Sequence, residues 1–202
     1  MLNKSLTMKR IILLIILINT QFLCGQNVVL DSNGVTIKWT GSSVPNPYFV
    51  QANPRGTGME WFAIVNYLTQ QNITNYANNI QSGRAYFTPP GNSNPIPFDN
   101  IVTTLMDSMI NLFKDNTTFN QPIGSWDVSN VTHTFGMFDG ATNFNQPIGS
   151  WDVSNVNTMT LMFKGATNFN QPIGSWNVSN VTGMNDMFMA QQTLTNLLVL
   201  GM

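Results

Sequence analysis

Hydrophobic and polar positions follow several rhythms along this chain, and each predicts a different element. Ile11 to Ile18 is an unbroken apolar run, preceded by Lys9 and Arg10 and followed by a polar, small stretch from Asn19 to Gly25. That order of positive, hydrophobic and cleavage regions predicts an export signal over residues 1–25, its apolar run being too short for a membrane span of about 20 residues. Val28–Leu30 and Val35–Trp39 flank Asp31-Ser32-Asn33-Gly34, which predicts a β-hairpin with Asn-Gly supplying positive φ. Trp61, Ile64, Val65 and Leu68 fall at i, i+3, i+4 and i+7, the spacing of an amphipathic helix. Gly83 to Pro97, with Pro89, Pro90, Pro95 and Pro97, reads as a loop.

The strongest rhythm is longer. Phe-Asn-Gln-Pro-Ile-Gly-Ser-Trp-Asp-Val-Ser-Asn-Val stands at 119–131, again unchanged at 144–156, and at 169–181 with Asn177 for Asp. The period is 25 residues, and Phe113, Phe138, Phe163 and Phe188 keep the same spacing, so the repeats begin near Met106. A fixed period of this length implies units that cannot bury an apolar face alone and must stack on one another. Within a unit, Ile123, Trp126, Val128, Asn130 and Val131 approach the leucine-rich-repeat spacing, one short strand with Trp126 and Val128 inward. Thr132 then reads as the N-cap of a helical turn that carries, in the third copy, Met184, Met187 and Phe188. Stacked Asn120, Asn145 and Asn170, and Asn130, Asn155 and Asn180, read as structural amide ladders. The fold class expected is therefore an α/β repeat solenoid, a leucine-rich-repeat-like stack of short parallel strands and helical turns with an N-terminal α+β cap.

The unit MFxxATxFNQPIGSWDVSNVTxM resembles the repeat of the BspA-like leucine-rich-repeat surface proteins over about Met106 to Ala190. That resemblance implies a right-handed repeat stack, extracellular placement, a role in adhesion or protein contact, and no shared catalytic residues. The expected organisation is a signal peptide at 1–25, a capping or binding segment at 26–105, repeats at 106–190 and an aberrant tail at 191–202. The tail, Gln191 to Met202, abandons the period, yet codons for the expected next repeat yield it when read one base late. A single-base loss that truncated a longer array is the expectation for this end.

Composition narrows the function. Only 8% of residues are charged, against roughly 25% in ordinary soluble domains, and the net charge is -1. Polarity comes from amides and hydroxyls, with 28 Asn. No basic stripe exists for a nucleic-acid partner. Cys24 is the only cysteine and lies in the leader; Phe22 and Leu23 before it lack the small residue of a lipoprotein signal, so lipidation there is not expected. His133 is the only histidine and is absent from the other copies, so a zinc site of N/S type is excluded and a solvated surface side chain is the reading preferred over a catalytic one. No cofactor is expected. Asp127 and Asp152 recur with Asn177, but one carboxylate per unit supplies far fewer than the roughly six to eight oxygens calcium takes.

What remains is a non-catalytic exported scaffold, secreted or at the cell surface, that meets an extracellular protein or glycan. The candidate partner-binding face is the outward row Ser125, Asp127 and Ser129, with Ser150, Asp152 and Ser154, and Ser175, Asn177 and Ser179. Alternatives are a carbohydrate-binding N-terminal module using Trp39, Tyr48 and Trp61 on a repeat stalk, or an inactive truncated product.

Overall fold

The computed structural model describes residues 27–44 and 48–190, so the expected leader and the aberrant tail lie outside the described residues. Strands β1 (Val28–Leu30) and β2 (Ile37–Trp39) pair antiparallel as the Asn-Gly turn predicts, with Val28 opposite Trp39. Asn33 Oδ1 accepts the N–H groups of Val35 and Thr36, both at 2.9 Å, and Gly34 turns the chain at φ 72°. A second sheet holds β3 (Phe49–Ala52), β4 (Glu60–Asn66) and β5 (Ile101–Leu105) in that order, β3 antiparallel and β5 parallel to the central β4.

The helix expected from Trp61 to Leu68 is thus a strand. Phe62, Ala63, Ile64 and Val65 are all 0% exposed, which is the continuous burial of a central strand covered on both faces rather than one helical stripe. Leu68, the fourth member of the supposed stripe, is 72% exposed. The helices follow instead, α1 (Gln70–Ala77) and α2 (Gln81–Tyr86), and α2 takes the first residues of the expected loop. They cross closely at Gly83, where a Cβ would stand 2.2 Å from the Tyr76 backbone nitrogen.

The expected α/β repeat solenoid is overturned. Every strand of more than one residue and every helix among the described residues precedes Met106, and the molecule is a small domain dominated by its sheets. The repeats consist of turns and short extended pieces, joined by single parallel bridges from Ser108 to His133, His133 to Thr158 and Thr158 to Gly183. The expected strand fails because turns at Gly124–Ser125 and Ser129–Asn130 leave only Trp126 to Val128 between them. The expected helical turn fails because alternate amides point to the next unit. Thr134, Gly136 and Phe138 donate to the carbonyls of Thr158, Thr160 and Met162 at 3.1, 3.0 and 2.8 Å, groups an α-helix would use internally. Positive φ recurs with the period at Asn111, Gly136, Leu161 and Asp186, which no right-handed helix accommodates.

Packing between units is nonetheless regular. Phe113, Phe138, Phe163 and Phe188 stack at 5.5, 5.4 and 5.6 Å between ring centres, beside a column of Phe119, Phe144 and Phe169 at 5.9 and 5.7 Å. One apolar core runs from Phe49 and Val65 of the second sheet through Ile73 and Phe98 to Met187. A smaller one lies between the two sheets, around Trp39, Val50, Phe62 and Val102.

Candidate functional site

Each unit hangs on side chains that reach back to the unit before. The indole Nε1 of Trp151 donates to the Ile123 carbonyl and that of Trp176 to the Ile148 carbonyl, both at 3.1 Å. Burying an indole requires a partner for its N–H; the periodic Ile carbonyl provides it. Asn145 and Asn170 present their backbone N–H to Asn120 Oδ1 and Asn145 Oδ1, each at 3.0 Å, while Gln146 and Gln171 donate to the Asn120 and Asn145 carbonyls. Asn155 and Asn180 donate to the carbonyls of Ser129 and Ser154. Gly124 and Gly149 allow the close approach, since a Cβ there would fall 2.7 and 2.5 Å from the carbonyl oxygens of Pro147 and Pro172. The periodic amides are consumed by architecture.

The expected face divides between copies. In the first copy Asp127 is 2% exposed, not outward. Its Oδ1 accepts the N–H and hydroxyl of Ser129, at 3.1 and 2.7 Å, while its Oδ2 is buried with no hydrogen-bond partner. Ser125 is half-buried, donating its hydroxyl to the Asp99 carbonyl and accepting the Ile37 N–H at its own carbonyl. In the second copy Ser150 and Asp152 are exposed and Ser154 half-buried; in the third Ser175, Asn177 and Ser179 are exposed. Asp152 and Asn177 each accept the N–H two residues on, so the same small turn recurs with a carboxylate or an amide.

Lys38 of β2 faces this row. Its Nζ lies 3.0 Å from Asp31 Oδ2. That hydrogen bond holds the Lys38 ammonium above its ordinary pKa, and the nearby charges of Asp127 and Asp152 add to the effect. Beside it an open groove of about 740 Å³ runs between the β1–β2 hairpin and the repeats. Leu30 and Val35 form one wall, Pro122, Pro147 and Pro172 the other, and Arg55 the end. Arg55 is tied to Glu60 at 3.0 Å and Asp99 at 3.4 Å. The groove escaped the reading of the sequence because its walls come from segments roughly 90 to 140 residues apart; the signal in the sequence was the proline that recurs at each period.

The three aromatic residues of the alternative reading do not make an open platform. Trp39 is buried and donates its Nε1 to the Ser43 carbonyl. Trp61 meets Phe49 edge-on, and Tyr48 stacks on Tyr86, with burial pushing the Tyr48 hydroxyl up to about 12. His133 is exposed, its Nδ1 2.8 Å from the Thr132 hydroxyl. Among the described residues no group of three or more His, Cys, Asp or Glu is placed to hold a metal ion, and no helix is long and apolar enough to cross a membrane.

No curated protein and no solved structure matches the chain. Residues 84–198 match the family described as "Mycoplasma protein of unknown function, DUF285", a span that takes in all three copies of the 25-residue unit. With more than half of its 202 residues inside that match, the chain belongs to the DUF285 family of Mycoplasma-type repeat proteins.

Proposed function

We propose that the chain is an exported, non-catalytic contact scaffold of the BspA-like surface type, which meets an extracellular protein or glycan through its repeats. The observation that carries this reading is the exposed polar row Ser150, Asp152, Ser175, Asn177 and Ser179. It is mounted on units whose aromatic columns step by 5.4 to 5.9 Å. Groups repeated at one spacing on a packed support gain avidity from many weak contacts without any single deep pocket. The low content of charged residues fits hydrogen-bonded recognition at short range rather than electrostatic steering.

The reading is tested by retention of the full chain on immobilised extracellular-matrix proteins and on a glycan array. Replacing Asp152 and Asn177 together by Ala lowers that retention severalfold while the far-ultraviolet circular dichroism stays unchanged. Retention that survives the double change removes this row, and no retention on any surface removes the reading.

A further inference from the structure

A second cavity, of about 310 Å³, lies where the two helices meet the first repeat. Helix α1 ends at Ala77, Asn79 turns the chain at φ 57°, and α2 carries Arg84 in its last turn, so Asn79 and Arg84 stand together on one side. Thr118 and Gln121 of the first repeat line the other side, and Tyr76, stacked on Phe98 with ring centres 4.5 Å apart, supplies an apolar wall.

Arg84 is a half-buried cation without a counter-ion. All nine acidic side chains of the chain lie in the described residues and none pairs with it, whereas Lys38, Arg55 and Lys114 each hold a carboxylate. Its Nη1 donates to Asn79 Oδ1 at 3.1 Å, and its other guanidinium N–H groups have no hydrogen-bond partner among the described residues. Burial raises the pKa of the Tyr76 phenol, and the charge of Arg84 opposes that rise, as expected of a guanidinium close to the ring. Gln121 is the exception among the periodic amides. Gln146 and Gln171 donate to the Asn120 and Asn145 carbonyls of the unit before, but no repeat precedes Gln121, which is exposed and has no hydrogen-bond partner among the described residues. Thr118 donates its hydroxyl to Asn116 Oδ1 at 3.1 Å, which leaves the hydroxyl oxygen to accept.

We propose that this cavity binds a carboxylate-bearing sugar, with the carboxylate on the Arg84 guanidinium and the ring hydroxyls on Gln121, Asn79 and Thr118. A planar guanidinium with unpaired N–H groups matches the two oxygens of a carboxylate. The lining holds one cation and no second, which suits a single negative charge better than a phosphate dianion. Ligand sites run from roughly 300 to 1,000 Å³, so a cavity this small takes a single sugar ring rather than a folded partner. Neutral donors and acceptors around the cation outnumber what an acidic side chain of a peptide can engage, and they match the hydroxyls of a sugar. The site is separate from the exposed row of the later repeats and does not depend on it.

The test is calorimetric titration of the full chain with glucuronate, with glucose, acetate and a glutamate-containing peptide as comparisons. Glucuronate binds at least about tenfold more tightly than glucose or acetate, the difference a charge-assisted hydrogen-bonded pair supplies. Arg84→Gln removes that advantage, and Gln121→Ala weakens glucuronate severalfold. Asn79→Asp sets a carboxylate against Arg84 at an exposed position with positive φ, which Asp tolerates; it weakens glucuronate as Arg84→Gln does and decides the matter if Arg84→Gln does not fold. Replacing Asp152 and Asn177 by Ala leaves glucuronate binding unchanged, so the failure of this site and the failure of the exposed row are read separately. No saturable binding of glucuronate, equal binding of glucose or acetate, tighter binding of the acidic peptide, or folded Arg84 and Asn79 variants that bind undiminished would each overturn the proposal.

Discussion

The two ends of the repeat segment are built from almost the same residues and live in different surroundings. At the first end, Trp126 is fully buried and its Nε1 donates to the Phe98 carbonyl, a group supplied by the N-terminal segment rather than by a preceding repeat. Thr103 Oγ1 reaches the Asp127 carbonyl, and Asn116, itself buried, donates to the Ala77 carbonyl. At the last end, the equivalents Val178, Val181, Met184 and Phe188 are only partly buried, where Val128, Val131, Met109 and Phe113 are in the core. How deeply the same residue types are buried therefore depends on what is laid against them.

The largest effect should separate the tryptophans. Trp126→Ala removes a fully buried indole closed in from both sides and should cost about 3–5 kcal/mol of unfolding free energy. Trp176→Ala removes the same group, also buried, from the unit whose Val178, Val181 and Phe188 are only partly buried, and should cost less. Urea denaturation of the two variants measures both. Equal losses would mean that burial at the two ends is energetically alike and would break the comparison.

A smaller difference is expected at the aspartates, which share an identical 13-residue context. Asp127→Ala leaves the N–H and hydroxyl of half-buried Ser129 without their acceptor and should cost about 1–2 kcal/mol. Asp152→Ala, at an exposed turn, should stay within about 0.5 kcal/mol. The same denaturation series reads this, and a costly Asp152 change would show that the turn itself, not its cover, sets the energy.

That pair also marks what could be read before the fold was known. The period, the β1–β2 hairpin and the inward tryptophans were legible because each is local or repeats itself. The exposure of Asp127 was not, since residues 119–131 and 144–156 are identical and differ only in what packs on them. Strand β4 was misread because Trp61, Ile64, Val65 and Leu68 match a helical stripe only if Phe62 and Ala63 are passed over. The helical turn after Thr132 was misread because competition from the next unit's carbonyls has no local signature. The groove needs two walls roughly 90 to 140 residues apart, and no short window of sequence contains both.

The smallest effect concerns pH, and it sharpens the same contrast because charge is concentrated at the covered end. Burial alone would raise the Glu60 carboxyl, but hydrogen bonds from Asn100 and Thr57 and the charge of Arg55 outweigh it and hold the group below its ordinary 4.5. A carboxyl whose pKa is lowered on folding contributes stability above its unfolded value, and that contribution is lost as pH falls through the folded value. The melting temperature should therefore begin to fall below about pH 4.5, and Glu60→Gln should flatten part of that fall while lowering the plateau at neutral pH. Melting curves at half-unit pH intervals would register the difference. An acid limb that Glu60→Gln leaves unmoved would place the pH-sensitive contacts elsewhere, and the Arg55–Glu60 end would lose its claim to them.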